Sequence, residues 1–144
     1  MKRIRSFAVL AIFFGGVGCA SVVVEDEVAV SAPPTCEVTR IVDGDTVDVE
    51  CGGGVDRVRL MGFDTPESFR AECASEAVRA LAAERFLTGE IARARVVDFA
   101  FQGRDRFDRR LAVMRVDGRD IADVMVGAGH ARVYDGGRRQ GWCG

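Results

Sequence analysis

The sequence predicts a mainly β domain with two packed helices, an α+β fold wound as a small five-stranded antiparallel barrel. Three observations carry this expectation. β-rich runs bounded by Asp-Gly and Gly-rich turns occupy residues 36–63 and 91–116. Two stretches, 73–90 and 120–128, have helical patterning. Their order is three strands, helix, two strands, helix, which suits a closed sheet with helices against it.

Cys36 to Val42 and Asp45 to Cys51 read as strands around Asp43-Gly44. Asp-Gly between such runs is a strong signal for a two-residue type I′ hairpin. "GGG" from Gly52 to Gly54 is the next turn, and Val55 to Phe63 the third strand, closed by Pro66. Cys73 to Glu90 forms the first helix, with Ala74, Ala77, Val78, Leu81 and Phe86 as its apolar stripe and Gly89 as its stop. Ile91 to Phe101 is the fourth strand, Gln102 to Arg109 a charged loop, and Arg110 to Val116 the fifth strand. Asp117-Gly118 turns the chain into a short helix, Asp120 to Ala128, and a Gly-rich tail follows.

Residues 1–19 read as an export signal: Lys2, Arg3 and Arg5 precede an apolar run that is too short to span a bilayer. Cys19 sits where a bacterial lipoprotein is cleaved and lipidated, so membrane attachment through Cys19 and ordinary cleavage just after it both stay open. Residues 20–35 read as a linker, with an acidic cluster and a Pro pair, and 36–144 as the folded domain. Export implies a periplasmic, secreted or envelope-anchored protein.

Beyond Cys19 four cysteines remain, Cys36, Cys51, Cys73 and Cys143. An oxidising compartment implies two disulfides among them, with three connectivities, and the absence of any CxxC pair disfavours a thiolate metal site. Pairing Val42 with Asp45 and stepping outwards brings Cys36 opposite Cys51. Cys73–Cys143 is then the remaining pair. The formal charge of −2 falls to −5 without Lys2, Arg3 and Arg5, which is not the basic footprint of a tight nucleic-acid binder.

Chemistry concentrates between Asp43 and Glu67. Cleaving a phosphodiester needs a hard cation, cationic donors for the charge on phosphorus, and a base for the water proton. Asp45 begins the second strand and Asp64 ends the third, so adjacent strands bring two carboxylates to one oxygen-ligated ion such as Ca²⁺. Arg59 and Arg109 supply planar forks that match phosphate oxygens, with Arg104, Arg106 and Arg110 competing for the place of Arg109.

"IVDGDTVDV", "VRLMGFDTPE" and "DRFDRRLAVMRVDG", in that order and spacing, resemble the staphylococcal nuclease (thermonuclease) family over about Cys36 to Val133. The resemblance implies an OB-fold barrel and Ca²⁺-dependent cleavage of DNA and RNA to 5′-hydroxyl and 3′-phosphate ends. It implies that Asp45 and Asp64 bind Ca²⁺ by carboxylate and Thr65 by its backbone carbonyl. Glu67 is then the general base, Arg59 and Arg109 clamp the phosphate, and Asp43 supports the ligands from behind.

The chain departs from the family pattern at Phe107-Asp108-Arg109, where a Tyr-Gly-Arg is usual, and Asp108 is expected to place negative charge beside the phosphate. The tail has one tyrosine, Tyr134, as a candidate base contact, with core packing as its other reading. Arg57 is expected to be solvated or paired with Asp48 or Glu50, His130 to cap or pack, and Arg138-Arg139 to be a solvated tail. Three functions compete: an exported nuclease acting as a monomer, a non-catalytic barrel that binds nucleic acid or another partner, and a disulfide-rich structural lipoprotein domain whose acids merely solubilise it. Retention of Asp45, Arg59, Asp64, Glu67 and Arg109 favours the first.

Overall fold

The computed structural model describes residues 35–144. The expected signal and nearly all of the expected linker lie outside the described residues.

Ten elements follow in chain order: β1 (Glu37–Asp43), β2 (Thr46–Glu50), β3 (Val55–Leu60), β4 (Gly62–Asp64), α1 (Ala74–Arg93), β5 (Val97–Arg104), β6 (Arg110–Val116), β7 (Arg119–Asp120), α2 (Ile121–Gly127) and β8 (Arg132–Tyr134). The main sheet has the order β1-β2-β3-β6-β5, with β7 paired to β6, while β4 and β8 form a separate antiparallel pair. The α+β class holds, but the five-stranded OB-fold barrel does not. β1 and β5 are the two edges of an open sheet, and among the described residues no ladder joins them.

Two local events separate this sheet from the expected barrel. The expected third strand breaks at Met61, whose N–H donates to Ala112 O at 2.9 Å. Gly62 then takes φ 91°, a left-handed value that glycine adopts without steric penalty. The chain beyond it leaves the main sheet and pairs with β8. In addition, β3 meets β6 in parallel, with Val58 opposite Arg110 and Leu60 opposite Ala112. The sheet is therefore mixed rather than antiparallel.

The first hairpin also differs from expectation. Asp43 pairs with Thr46, so the two-residue loop is Gly44-Asp45, not Asp43-Gly44. Its cause is an Asx-type turn in which the Asp43 carboxylate accepts the N–H of Asp45 at 3.1 Å. Two register shifts on β1, at Thr39 and Val42, then bring Glu37 opposite Glu50 at the far end. Disulfides join Cys36 to Cys51 and Cys73 to Cys143. Two such bridges suit an oxidising, extracytoplasmic environment.

The core is apolar and contiguous. Val47, Val49, Val58, Leu60, Phe63, Met114 and Ile121 are fully buried, with Ala83 and Leu87 supplied by α1. Helix α1 turns a different stripe inward from the one expected. It buries Glu76, Ala80, Ala83 and Leu87, a single 3.6-period line, and leaves Val78 70% and Leu81 45% exposed. Small alanines prevail because the helix lies close to the first hairpin, where larger side chains have no room. Gly89 does not stop α1, which continues to Arg93. Helix α2 starts at an Asp120 cap, whose side chain accepts from the Ala122 N–H at 2.9 Å. His130 packs on the Phe86 ring with centroids 4.5 Å apart.

Candidate active site

The hairpin loop carries Asp45 into a buried polar cluster. Its Oδ1 accepts from the Thr46 hydroxyl at 3.0 Å, and its Oδ2 from the Thr65 N–H at 3.3 Å. Arg59 stands opposite Thr46 on β3, so its guanidinium reaches the same loop. Nη1 of Arg59 lies 2.9 Å from Asp45 Oδ2 and Nη2 lies 3.7 Å from Asp64 Oδ1. One guanidinium thus bridges both acids.

Arg59 does more than pair with acids. It donates to the carbonyls of Leu60 at 2.8 Å, Phe63 at 3.0 Å and Asp45 at 3.3 Å. Those contacts pin the break between β3 and β4 and present Asp64 at the β4 end. Burial lowers the Arg59 pKa, against the pull of Asp45. Burial raises the Asp64 pKa, against the opposing charge of Arg139. Asp43, half-buried behind Asp45, is pushed up to about 7 by burial and by the Asp45 carboxylate.

Glu67 follows on a loop. Its Oε1 accepts from the Phe69 N–H at 3.1 Å, and its own N–H donates to Glu76 Oε1 at 3.2 Å. Glu67 lines a cleft of about 890 Å³ together with Arg59, Arg109, Tyr134 and Arg139. The parallel β3–β6 ladder carries Arg109, immediately before β6, to the same cleft. Asp105 orients it, accepting from its Nε at 2.9 Å and its backbone N–H at 3.0 Å. Arg104 and Arg110 instead bind Asp56. Arg106 lies over the Phe107 ring at 4.8 Å. Of the four neighbouring arginines, Arg109 and Arg106 reach the cleft.

Several residues take places the sequence did not suggest. Asp108 lines a different cleft with Asp48, Arg104 and Arg109, the last of which lines both clefts, and it has φ 63°. It does not face Arg59 and Glu67. Arg139 is no solvated tail residue: its Nε lies 3.0 Å from Asp64 Oδ1. Trp142 is buried and donates from Nε1 to Asp64 Oδ2 at 3.3 Å. Glu76 is buried at the start of α1. The Tyr134 hydroxyl donates to Gly137 O at 2.8 Å while its ring lines the cleft. Arg57, by contrast, pairs with Asp48 at 2.9 Å, as the sequence suggests. The "RRQGWC" stretch held a signal in its lone tryptophan beside a bridging cysteine, but nothing in the pattern points either residue at Asp64.

The donor set around Asp45 and Asp64 is all oxygen, which suits a hard cation. Asp64 Oδ1 is buried and makes no hydrogen bond of good geometry, but it is ion-paired, with Arg139 Nε at 3.0 Å and Arg59 Nη2 at 3.7 Å. Among the described residues, the one cluster of three Cys, His, Asp or Glu ligand atoms within 4.8 Å is Cys73, Glu76 and Cys143. These atoms could coordinate an ion in general, but the two sulfurs are bonded to each other, so only their reduced form offers thiolates.

Buried acids, a shared guanidinium and a polar cleft thus lie together on an open mixed sheet. Comparison with known proteins assigns the class. The Staphylococcal nuclease homologue family matches residues 57–141, and the chain belongs to that family. It is 33% identical over 97 residues to the SPbeta prophage-derived endonuclease YokF of Bacillus subtilis (strain 168), covering 65% of this chain and 32% of that protein. It is 31% identical over 101 residues to an uncharacterized endonuclease of Escherichia coli O157:H7, covering 68% and 60%. Against the thermonuclease of Staphylococcus intermedius it is 33% identical over 76 residues, covering 52% and 45%. The matches therefore span about a third to three-fifths of these relatives' lengths.

Proposed function

We propose that this domain is a Ca²⁺-dependent nuclease that hydrolyses DNA and RNA, leaving 5′-hydroxyl and 3′-phosphate ends. The observation that carries this reading is the convergence of Arg59, Glu67 and Arg109 on one cleft beside Asp45 and Asp64. Endonuclease names among the relatives support it.

Asp45, Asp64 and the Thr65 carbonyl would hold Ca²⁺, with Asp43 behind Asp45. The cation would place positive charge beside the scissile phosphate. Glu67 takes a proton from a water in the cleft, and the water oxygen bonds to phosphorus. The bond from phosphorus to the 5′-oxygen breaks, and that oxygen leaves as an alkoxide that takes a proton from a cleft water to become the hydroxyl, while protonated Glu67 gives its proton back to solvent. Arg109, with Arg59 below it, donates to the equatorial oxygens as their charge grows. Tyr134 offers a ring face for a nucleobase. The chain would act as a monomer after export, with Cys19 either lipidated or lost with the signal.

One observation favours a second reading. Arg59 donates to three main-chain carbonyls, so it has a structural role whether or not it meets phosphate. A domain that binds nucleic acid without cutting would keep it. Plasmid DNA incubated with the purified protein separates the two. Cleavage in Ca²⁺ that stops in EGTA, and is weak in Mg²⁺, supports the nuclease. Gel retardation without cleavage in any cation supports the binding module.

A further inference from the structure

Arg132 on β8 is the ladder partner of Asp64 on β4. Its guanidinium lies 3.8 Å over the Trp142 ring, and its Nη1 donates to Gly141 O at 3.0 Å. This clamp holds Trp142 at 8% exposure, where the indole N–H meets Asp64 Oδ2. The next residue, Cys143, is bonded to Cys73, the residue that starts α1. One turn further on, Glu76 accepts the backbone N–H of Glu67 at 3.2 Å and of Glu72 at 2.7 Å. The first turn of α1 therefore anchors two things: the Glu67 loop directly, and the indole on Asp64 through the disulfide.

We infer that Trp142 is a positioning residue for Asp64, and that the Cys73–Cys143 disulfide keeps it there, so cation affinity at Asp64 depends on that bridge. The inference rests on Asp64 being a cation ligand. An N–H on Oδ2 fixes the rotation of the carboxylate and leaves Oδ1, held by ion pairs to Arg139 and Arg59 rather than by a hydrogen bond, as the ligand atom. Arg139 is the counter-ion that a bound cation displaces; its side chain is 43% exposed and has solvent to move into. A purely apolar role for Trp142 would need a buried ring but no N–H donor.

The test uses the full chain and the fact that Trp142 is its single tryptophan. Tb³⁺ alone, added after EGTA treatment and dialysis, should give emission sensitised by the indole. Ca²⁺ should compete it away, and Asp64→Asn should abolish it. Ca²⁺ titration calorimetry then compares wild type with Trp142→Phe and with the double variant Cys73→Ser/Cys143→Ser. Each should bind Ca²⁺ about ten-fold more weakly, the lower end of what groups behind a ligand usually contribute. Adding Trp142→Phe to the double variant should weaken binding little further. Wild-type Ca²⁺ affinity in Trp142→Phe, with an unchanged circular dichroism spectrum, would overturn the inference while leaving the nuclease reading intact. Sensitised emission that survives Asp64→Asn would overturn it too, by placing the ion elsewhere. If wild type binds neither ion, the cation reading itself falls and takes the inference with it. Should the cysteine variant fail to fold, Trp142→Phe alone decides.

Discussion

Gly44 and Ala83 touch so closely that a Cβ on Gly44 would lie 2.9 Å from the Ala83 Cβ and equally near the Thr65 side chain. This contact joins the first hairpin loop, α1 and the Asp64-Thr65 segment at one point. Glycine is required here for space, not for an unusual φ.

Gly44→Ala should therefore destabilise the domain by ~1–3 kcal/mol, the usual penalty for overpacking. Because Asp45 rides on the same loop, Ca²⁺ affinity should fall with stability. Urea unfolding with and without Ca²⁺ measures both. Unchanged stability would mean that α1 can slide away freely.

Arg59→Met and Arg109→Met should behave differently. Removing Arg59 leaves Asp45 and Asp64 buried without their shared partner, a loss of ~3–5 kcal/mol. Removing Arg109, a quarter exposed, should leave the melting temperature nearly unchanged while slowing cleavage by ~10²–10³. Melting curves and cleavage rates on one substrate separate these effects, and equal loss of stability in both would contradict the burial argument.

Glu67→Gln keeps the size of the side chain and removes the proposed base. Cleavage should drop by ~10²–10⁴, the range for general base catalysis, with nucleic-acid binding retained. Near-normal turnover in a folded variant would assign the base elsewhere.

Asp108→Gly should stabilise the domain by up to ~1 kcal/mol, because a left-handed φ is strained for a residue with a Cβ. Its nucleic-acid affinity should stay nearly unchanged, since Asp108 is not among the residues that line the Arg59 cleft. A clear rise in affinity at low salt would place the carboxylate near bound phosphate after all.

Val78→Glu, on the outer face of α1, should change stability by less than ~0.5 kcal/mol. A large loss would restore the apolar stripe that the sequence first suggests.

Element order and the acidic and basic motifs were legible because they depend on local pattern. Alternation in Val47-Asp48-Val49 marks a strand wherever it pairs. Lateral neighbours are another matter. Nothing in Arg110–Val116 states that it pairs with β3 in parallel, or that β1 and β5 stay apart. The α1 stripe was misread because alanines occur on both faces, and the close approach of Gly44 to Ala83 is not written in the pattern. Asp43-Gly44 has the letters of a type I′ turn, but the Asp43 carboxylate shifts the loop by one residue. The same letters at Asp117-Gly118 do adopt positive φ at both positions. Arg139 and Trp142 escaped notice because their partner, Asp64, is brought to them by β8 and the disulfide, and no sequence spacing encodes that meeting.

The parallel ladder between β3 and β6 also sets an order of assembly. Asp45 and Arg59 meet through two successive hairpins, whose loops are short and close at little entropic cost. Arg109 reaches them only when strands some fifty positions apart align. Such distant pairings form slowly and late, since loop closure must precede any gain from contact. A chain caught with only its first meander in place would hold Asp45 and one guanidinium, without the second. In refolding experiments, competence to cut should thus return with the last long-range pairing, not with the first strands.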